Sequence, residues 1–265
     1  MPYTTIKYEV VRPHVALITL DRPERMNAIN RVVFEELDDA LNTIERDPEV
    51  RVFMLTGAPR TDGRPCFSAG ADLKAMAEGV STPVPLALGV TNRIDEFLKP
   101  SIAVIDGLCT TGGMELIMAC DFRVAADTAQ FSDWHLKRLG AGLGSWGAST
   151  RLSRLVGLAK AKEMLLTGIL IDGAEAHRIG LVNRVVPQAR LMDGALEMAQ
   201  SIAEMRPEGV RLTLAFLETS IDLDKHQALR WAQLAPPYLG ISSQREQGAR
   251  AFVEQKRTAK EGGQP

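Results

Sequence analysis

Two short stretches combine small residues with a turn into a helix. One is Phe67-Ser68-Ala69-Gly70-Ala71-Asp72-Leu73-Lys74-Ala75-Met76, where a helix is expected at or just after Ala71. The other is Asp106-Gly107-Leu108-Cys109-Thr110-Thr111-Gly112-Gly113-Met114-Glu115, where a strand enters a glycine pair and a helix leaves it. The first N–H groups of a helix have no partner within it and carry partial positive charge, so they suit an anion. Small side chains let a ligand come close to that backbone. Two such N–H groups facing one oxygen make an oxyanion hole, where losing one donor costs roughly 3–4 kcal/mol of transition-state stabilisation. Taken singly, each stretch reads first as a strand–helix turn that needs glycine for backbone reasons. Glu115 lies one helical turn after Gly112; taken alone, an acidic residue there reads as a surface charge that favours the helix dipole.

The elements around these stretches alternate. Residues 6–20 read as two strands meeting at Arg12-Pro13-His14, and the second, Val15 to Leu20, is apolar enough to be buried on both faces. Asn30 is a plausible N-cap for a helix of about 16 residues with an apolar stripe of Val33, Leu37, Leu41 and Ile44. Val50 to Thr56, Ser101 to Ile105 and Phe122 to Ala126 are further strands, Met114 to Cys120 is helical, and Asp172 with Glu175 forms a capping-box pair. Strand and helix in alternation predict an α/β fold with buried parallel strands. The character changes near residue 188. Leu191, Ala195, Met198, Ile202 and Met205 mark one amphipathic helix, and Val210, Leu214, Leu217 and Ile221 a second, with Pro207 restarting the chain between them. Residues after about Arg257 are expected to fray.

The bulk numbers exclude several classes. The chain has 265 residues, 45% of them apolar and 24% charged, with a net charge of −2. Nothing in that balance marks a binder of nucleic acid or of an acidic membrane. The three cysteines, Cys66, Cys109 and Cys120, form no C-x-x-C pair, which predicts a reducing, cytoplasmic setting without disulfides. The first twenty residues lack the apolar run of a signal peptide, and no stretch is apolar enough for a membrane helix. No His/Cys cluster has metal-ligand spacing. Gly142-Leu143-Gly144-Ser145-Trp146-Gly147 fits G-x-G-x-x-G, but a poor strand precedes it, so it does not read as a dinucleotide site.

Taken together the motifs resemble the crotonase, or enoyl-CoA hydratase/isomerase, family from about residue 6 to 257. They are DRPERMNAI at 21–29, FSAGADLKAM at 67–76, DGLCTTGGMELIMACDFRVAA at 106–126, RLSRLVG at 151–157 and GAEAHRIGLVNRVVP at 173–187. The resemblance implies a spiral of ββα units, residues 1–188, carrying an acyl-CoA site. It further implies a helical oligomerisation region, residues 189–265, that builds a trimer or a dimer of trimers. It puts the two oxyanion donors on Ala71 and Gly112. It makes Ala69, Asp72, Leu73 and Lys74 part of the stretch that holds the adenine and bends coenzyme A, and sets Arg25 near the phosphates. Coenzyme A would enter as part of the substrate, with no separate cofactor or metal.

The same resemblance assigns the first of two catalytic glutamates to Glu115. The second should fall twenty residues on, and the sequence has His135 there. Histidine can still move protons near neutral pH, with Asp133 as a possible orienting partner; a pocket-lining or core histidine is the other reading. Thr111 adds bulk and a hydroxyl beside Gly112, and Trp146 either shapes the acyl pocket or belongs to the core. The leading expectation is a lyase that hydrates an enoyl-CoA through a thioester enolate. Double-bond isomerisation, or carbon–carbon cleavage of a cyclic β-ketoacyl-CoA, is the second. A non-catalytic acyl-CoA-binding protein is the third.

Overall fold

The computed structural model describes residues 2–140, 142–238 and 242–261. The chain divides into two compact units, Met1–Met205 and Arg206–Pro265.

In the first unit, β1 (Ile6–Arg12) and β2 (Val15–Leu20) form an antiparallel pair that turns at Pro13-His14. Asn30 then caps α1 (Arg31–Arg46), its side-chain oxygen accepting the Val33 N–H at 3.1 Å. From there a strand–strand–helix unit recurs three times. The first is β3 (Val52–Gly57), β4 (Cys66–Ser68) and the helices α2 (Leu73–Ala77) and α3 (Val84–Asp95). The second is β5 (Ser101–Ile105), β6 (Leu108–Thr110) and α4 (Gly112–Ala119). The third is β7 (Phe122–Ala126), β8 (Gln130–Ser132) and α5 (His135–Leu139). Then follow α6 (Ala148–Val156), α7 (Leu158–Thr167), β9 (Ile171–Asp172), α8 (Gly173–Arg178), β10 (Arg184–Val186) and α9 (Leu191–Ala203).

Each recurring unit gives one strand to each of two sheets. The larger sheet runs β1-β2-β3-β5-β7-β10 and is parallel from β2 onward; the smaller runs β4-β6-β8-β9. The strands β2, β3 and β5 are almost continuously apolar because both faces of the large sheet are covered. On one face Phe53, Leu55, Ala103 and Ile105 meet Phe34, Leu37 and Leu41 of α1 and Ile94 of α3. On the other, Val15, Val52, Met54, Ile102 and Val104 meet Leu191, Ala195, Ala199 and Ala203 of α9. Alanine at every fourth position brings that helix close to the sheet, so the stripe expected through Met198 and Ile202 is shifted, and those two residues are only partly buried. This contact also moves the boundary expected at residue 188 to Met205, because α9 closes the core of the first unit.

Asp172 caps α8 through the Glu175 N–H as expected, but the Glu175 carboxylate turns to Arg178 and Lys160 instead of completing the capping box. The second unit is helical: α10 (Pro207–Ser220), which Pro207 opens, α11 (Lys225–Tyr238) and α12 (Ser242–Glu261). Phe216 and Trp231 stack there at 5.0 Å. The helix continues to Glu261 rather than fraying after Arg257, and residues 262–265 lie outside the described residues.

Candidate active site

Ala71, Gly112 and His135 occupy the same position in three successive units, just beyond a strand of the small sheet and at the entry to a helix. Because β4, β6 and β8 are parallel neighbours, the three junctions lie side by side. The Thr110 and Thr111 hydroxyls donate to the Ala69 carbonyl at 3.1 and 3.3 Å, and the Thr111 N–H donates to Ser132 O at 3.1 Å. Gly70 is obligatory here: its φ is +94°, and a Cβ would lie 1.7 Å from the Thr111 hydroxyl oxygen. Thr111 itself has φ +48° and ψ −115°, a backbone state that costs a β-branched residue roughly 1–3 kcal/mol. The flanking hydrogen bonds hold it there, immediately before the Gly112 N–H.

The stretch from Arg22 to Ile29 braces the first junction. Ile29 bridges Ala71 in parallel, its N–H donating to Gly70 O and its carbonyl accepting the Asp72 N–H. In such a bridge the N–H of Ala71 itself points to the other side. Neither that N–H nor the Gly112 N–H donates to a protein acceptor among the described residues. Asn27, at φ +52°, donates to the Ala58 and Cys66 carbonyls at 2.7 and 2.9 Å and accepts the Arg22 N–H at 3.1 Å. Arg22 pairs with Asp72 at 2.9 Å, and Asp72 also caps α2 through the Ala75 N–H. Burial pushes the Asp72 carboxyl up, but these donors outweigh it and hold the group below its usual range.

The Glu115 side chain is fully buried, so the surface-charge reading fails. Its Oε1 accepts the Trp146 and Ala148 N–H groups at 2.8 and 3.2 Å. Its Oε2 has no hydrogen-bond partner among the described residues and lies 3.5 Å from Nε2 of His135. The other ring nitrogen of His135, Nδ1, faces both oxygens of buried Asp133 at 3.1 and 3.0 Å. Burial alone would lower the His135 pKa, but the two carboxylates outweigh it and raise it to about 10. The G-x-G-x-x-G look-alike proves to be the loop that delivers the amides held by Glu115. Gly144 sits at φ +65°, where a Cβ would lie 2.9 Å from Glu115 Oε1 and 2.3 Å from the Ala148 Cβ.

The enoyl-CoA hydratase/isomerase family matches residues 11–262 of the chain. The chain belongs to that family. It is 36% identical over 259 residues to a protein of Rhizobium meliloti named "Probable enoyl-CoA hydratase", covering 97% of this chain and 98% of the relative. The crystal structure of an enoyl-CoA hydratase from Bacillus anthracis aligns with a TM-score of 0.86 at 33% identity, over 95% of this chain and 97% of that one. A monofunctional enoyl-CoA isomerase from M. smegmatis aligns with a TM-score of 0.72 at 35% identity, over 84% of this chain and 97% of that one.

For this enoyl-CoA hydratase/isomerase family member, a cavity of about 210 Å³ adjoins the Ala71 and His135 junctions. Ala71, Asp72, His135 and Trp146 line it together with Met76, Val84 and Leu139. A smaller one, about 20 Å³, is lined by Ala69, Ala71, Leu73, Thr111 and His135 among others. Gly112 and Glu115 line neither cavity. Gly112 sits against the Trp146 ring, and Glu115 lies behind His135 and the Trp146 backbone. Trp146 is buried, and its carbonyl is held by Thr91 and Arg151 at 3.0 and 2.8 Å. Lys74 and Arg25 are exposed and line neither cavity, though Arg25 is near enough to help hold the Asp72 carboxyl down. Among the described residues no group of three His, Cys, Asp or Glu side chains is placed to hold a metal, and no helix is long and apolar enough to cross a membrane. Sequence reasoning missed Met76, Val84 and Leu139 as cavity residues, since apolar residues in short helices carry no sign of which face they show.

Proposed function

We propose that the protein hydrates a 2-enoyl-CoA thioester. The observation that carries this reading is the pairing of a buried carboxyl oxygen, Glu115 Oε2, with Nε2 of a cavity-lining imidazole 3.5 Å away. In this reading the thioester oxygen lies against the Ala71 and Gly112 N–H groups. Glu115 takes a proton from water as the water oxygen bonds C3, and the electron pair of the double bond moves through C2 onto the thioester oxygen. The enolate then collapses and C2 takes a proton from Nε2 of His135. Proton transfer from Glu115 to His135 restores both groups. A histidine held as imidazolium suits the acid role and a carboxylate the base role, since each must begin in the opposite protonation state. The hydratase names of the relatives support the same chemistry.

Isomerisation between 3-enoyl and 2-enoyl thioesters is the second reading. Glu115 is one carboxylate with one unengaged oxygen, and both oxygens of Asp133 are taken up by His135. A single carboxylate can move a proton between C4 and C2. The isomerase among the solved relatives agrees with this. We also assign residues 206–265 to assembly as a trimer or dimer of trimers, on the ground that Leu217, Ile221, Leu229 and Phe252 are exposed.

The test is to incubate the protein with crotonyl-CoA and with a 3-enoyl-CoA while following the absorbance of the conjugated 2-enoyl thioester. Loss of signal from crotonyl-CoA is the expected result. A rise with the 3-enoyl substrate and no loss with crotonyl-CoA would replace hydration by isomerisation. No change with either would overturn both.

A further inference from the structure

We propose that Asp133 is a positioning residue that fixes His135 as an imidazolium, with its Nε2–H directed at Glu115. The Asp133 side chain is almost wholly buried, and each of its hydrogen bonds among the described residues goes to one residue. His135 N donates to Oδ1 at 3.0 Å, and His135 Nδ1 meets Oδ1 and Oδ2 at 3.1 and 3.0 Å. A buried carboxylate spent wholly on one neighbour is costly unless that neighbour carries a balancing charge.

Two acceptor oxygens facing Nδ1 require a hydrogen on it, and a carboxylate facing Nε2 favours one there as well. Both ring nitrogens are then protonated. The backbone N–H bond to the same carboxylate prevents the ring from turning relative to the chain. On either side, the Ser132 hydroxyl and the Trp134 indole N–H both donate to Gly168 O, at 3.0 and 3.2 Å, so the segment that carries Asp133 is itself anchored. The other charged groups near the ring are engaged elsewhere. Arg138 stacks on Trp134 at 4.0 Å, and Asp72 across the larger cavity is paired with Arg22. Asp133 and Glu115 are the groups that set the charge of His135, and the pKa near 10 agrees with that. The part of this inference that concerns turnover rests on the hydration reading; the part that concerns the ring does not.

The experiment is nitrogen-detected NMR of the full chain labelled with ¹⁵N-histidine, which has four histidines, with His135→Gln identifying the signal. In the unaltered protein His135 should remain doubly protonated from about pH 6 to about pH 9. In Asp133→Asn, which keeps the shape and can still accept the backbone N–H, its titration should fall by about 1–3 pH units. The alkaline limb of kcat with crotonyl-CoA should move down by the same amount, with KM changed less than about threefold. Asp133→Glu should restore part of both shifts. An unchanged titration in Asp133→Asn overturns the proposal whatever the activity. So does a shifted titration with an unmoved pH–rate limb. Absence of any turnover by the unaltered protein would instead refute the hydration reading, leaving the titration to decide the role of Asp133. If Asp133→Asn does not fold, Asp133→Ser, whose hydroxyl can accept the same N–H, provides the comparison.

Discussion

Adding one methyl group at Gly112 should damage both stability and turnover, through Trp146. A Cβ at residue 112 would lie 2.2 Å from Cζ3 of Trp146 and 3.0 Å from Cε3 and Cη2. Carbon atoms in contact sit about 3.5–4.0 Å apart, so the ring must retreat by more than about 1 Å. It has little room to do so. It packs edge-to-face with Phe34 at 4.9 Å between centroids, while the backbone N–H of Trp146 is held by Glu115 and its backbone carbonyl by Thr91 and Arg151. Overpacking of this kind costs about 1–3 kcal/mol of stability. The displacement is transmitted to the amides that hold Glu115, and a misplacement of about 1 Å at a reacting group costs about a hundredfold in rate. Urea denaturation and enoyl-CoA turnover of Gly112→Ala measure the two effects. In a Trp146→Leu background the ring atoms that clash are absent, so the added methyl should cost less, and the double-mutant cycle should show favourable coupling of about 1 kcal/mol or more. A Gly112→Ala protein as stable and active as the original, or a penalty unchanged by Trp146→Leu, would refute the reasoning.

Glu115→Gln should lower turnover by about 10²–10⁴-fold while leaving acyl-CoA affinity nearly intact, because the glutamine oxygen can still accept the Trp146 and Ala148 N–H groups; titration calorimetry with a saturated acyl-CoA checks the binding. His135 has its pKa raised from 6.5 to about 10 in the folded protein, so its contribution to stability is complete below about pH 6.5 and is lost as pH rises through about 10. Across that window the unaltered protein should lose up to about 1.4 kcal/mol per pH unit more than His135→Gln does, read from denaturation curves at several pH values. Asn27→Ala removes three hydrogen bonds, one of them to the buried Cys66 carbonyl, at a positive φ, and should cost about 2–3 kcal/mol in urea denaturation.

Much of the large sheet and of α1 was legible because local rules settle them. Val15–Leu20 has a single polar residue, Thr19, among six, and Asn30 is a capping residue placed just before an apolar stripe. The small sheet was harder to see. Its strands are two or three residues long, too short for any period, and they exist because neighbouring junctions pair with one another. The two small-residue turns were legible as chemistry-bearing segments, and Glu115 as a candidate, through motif resemblance rather than through spacing. Gly142–Gly147 was misleading in isolation. Its role comes from Glu115, thirty-one residues before Trp146, whose carboxylate orders the loop. Asp133 showed only as a neighbour of His135, since nothing in a sequence tells a buried carboxylate from a solvated one. The helix α9 lay on the wrong side of the expected boundary because alanines give a weak amphipathic signal and yet permit the closest approach to a sheet.

The pinned indole of Trp146 makes the large cavity asymmetric. Trp146 is a fixed, buried aromatic end, whereas Met76, Val80, Val84 and Leu139 in the same lining are at least two-fifths exposed and form its open side. A chamber with one rigid end and one open end measures what lies against the rigid end and ignores what spills past the rim. Under the hydration proposal, branching or a ring near the reacting carbons would therefore be sorted strictly, while extra methylenes farther out would be tolerated, so that homologous acyl chains would compete on nearly equal terms.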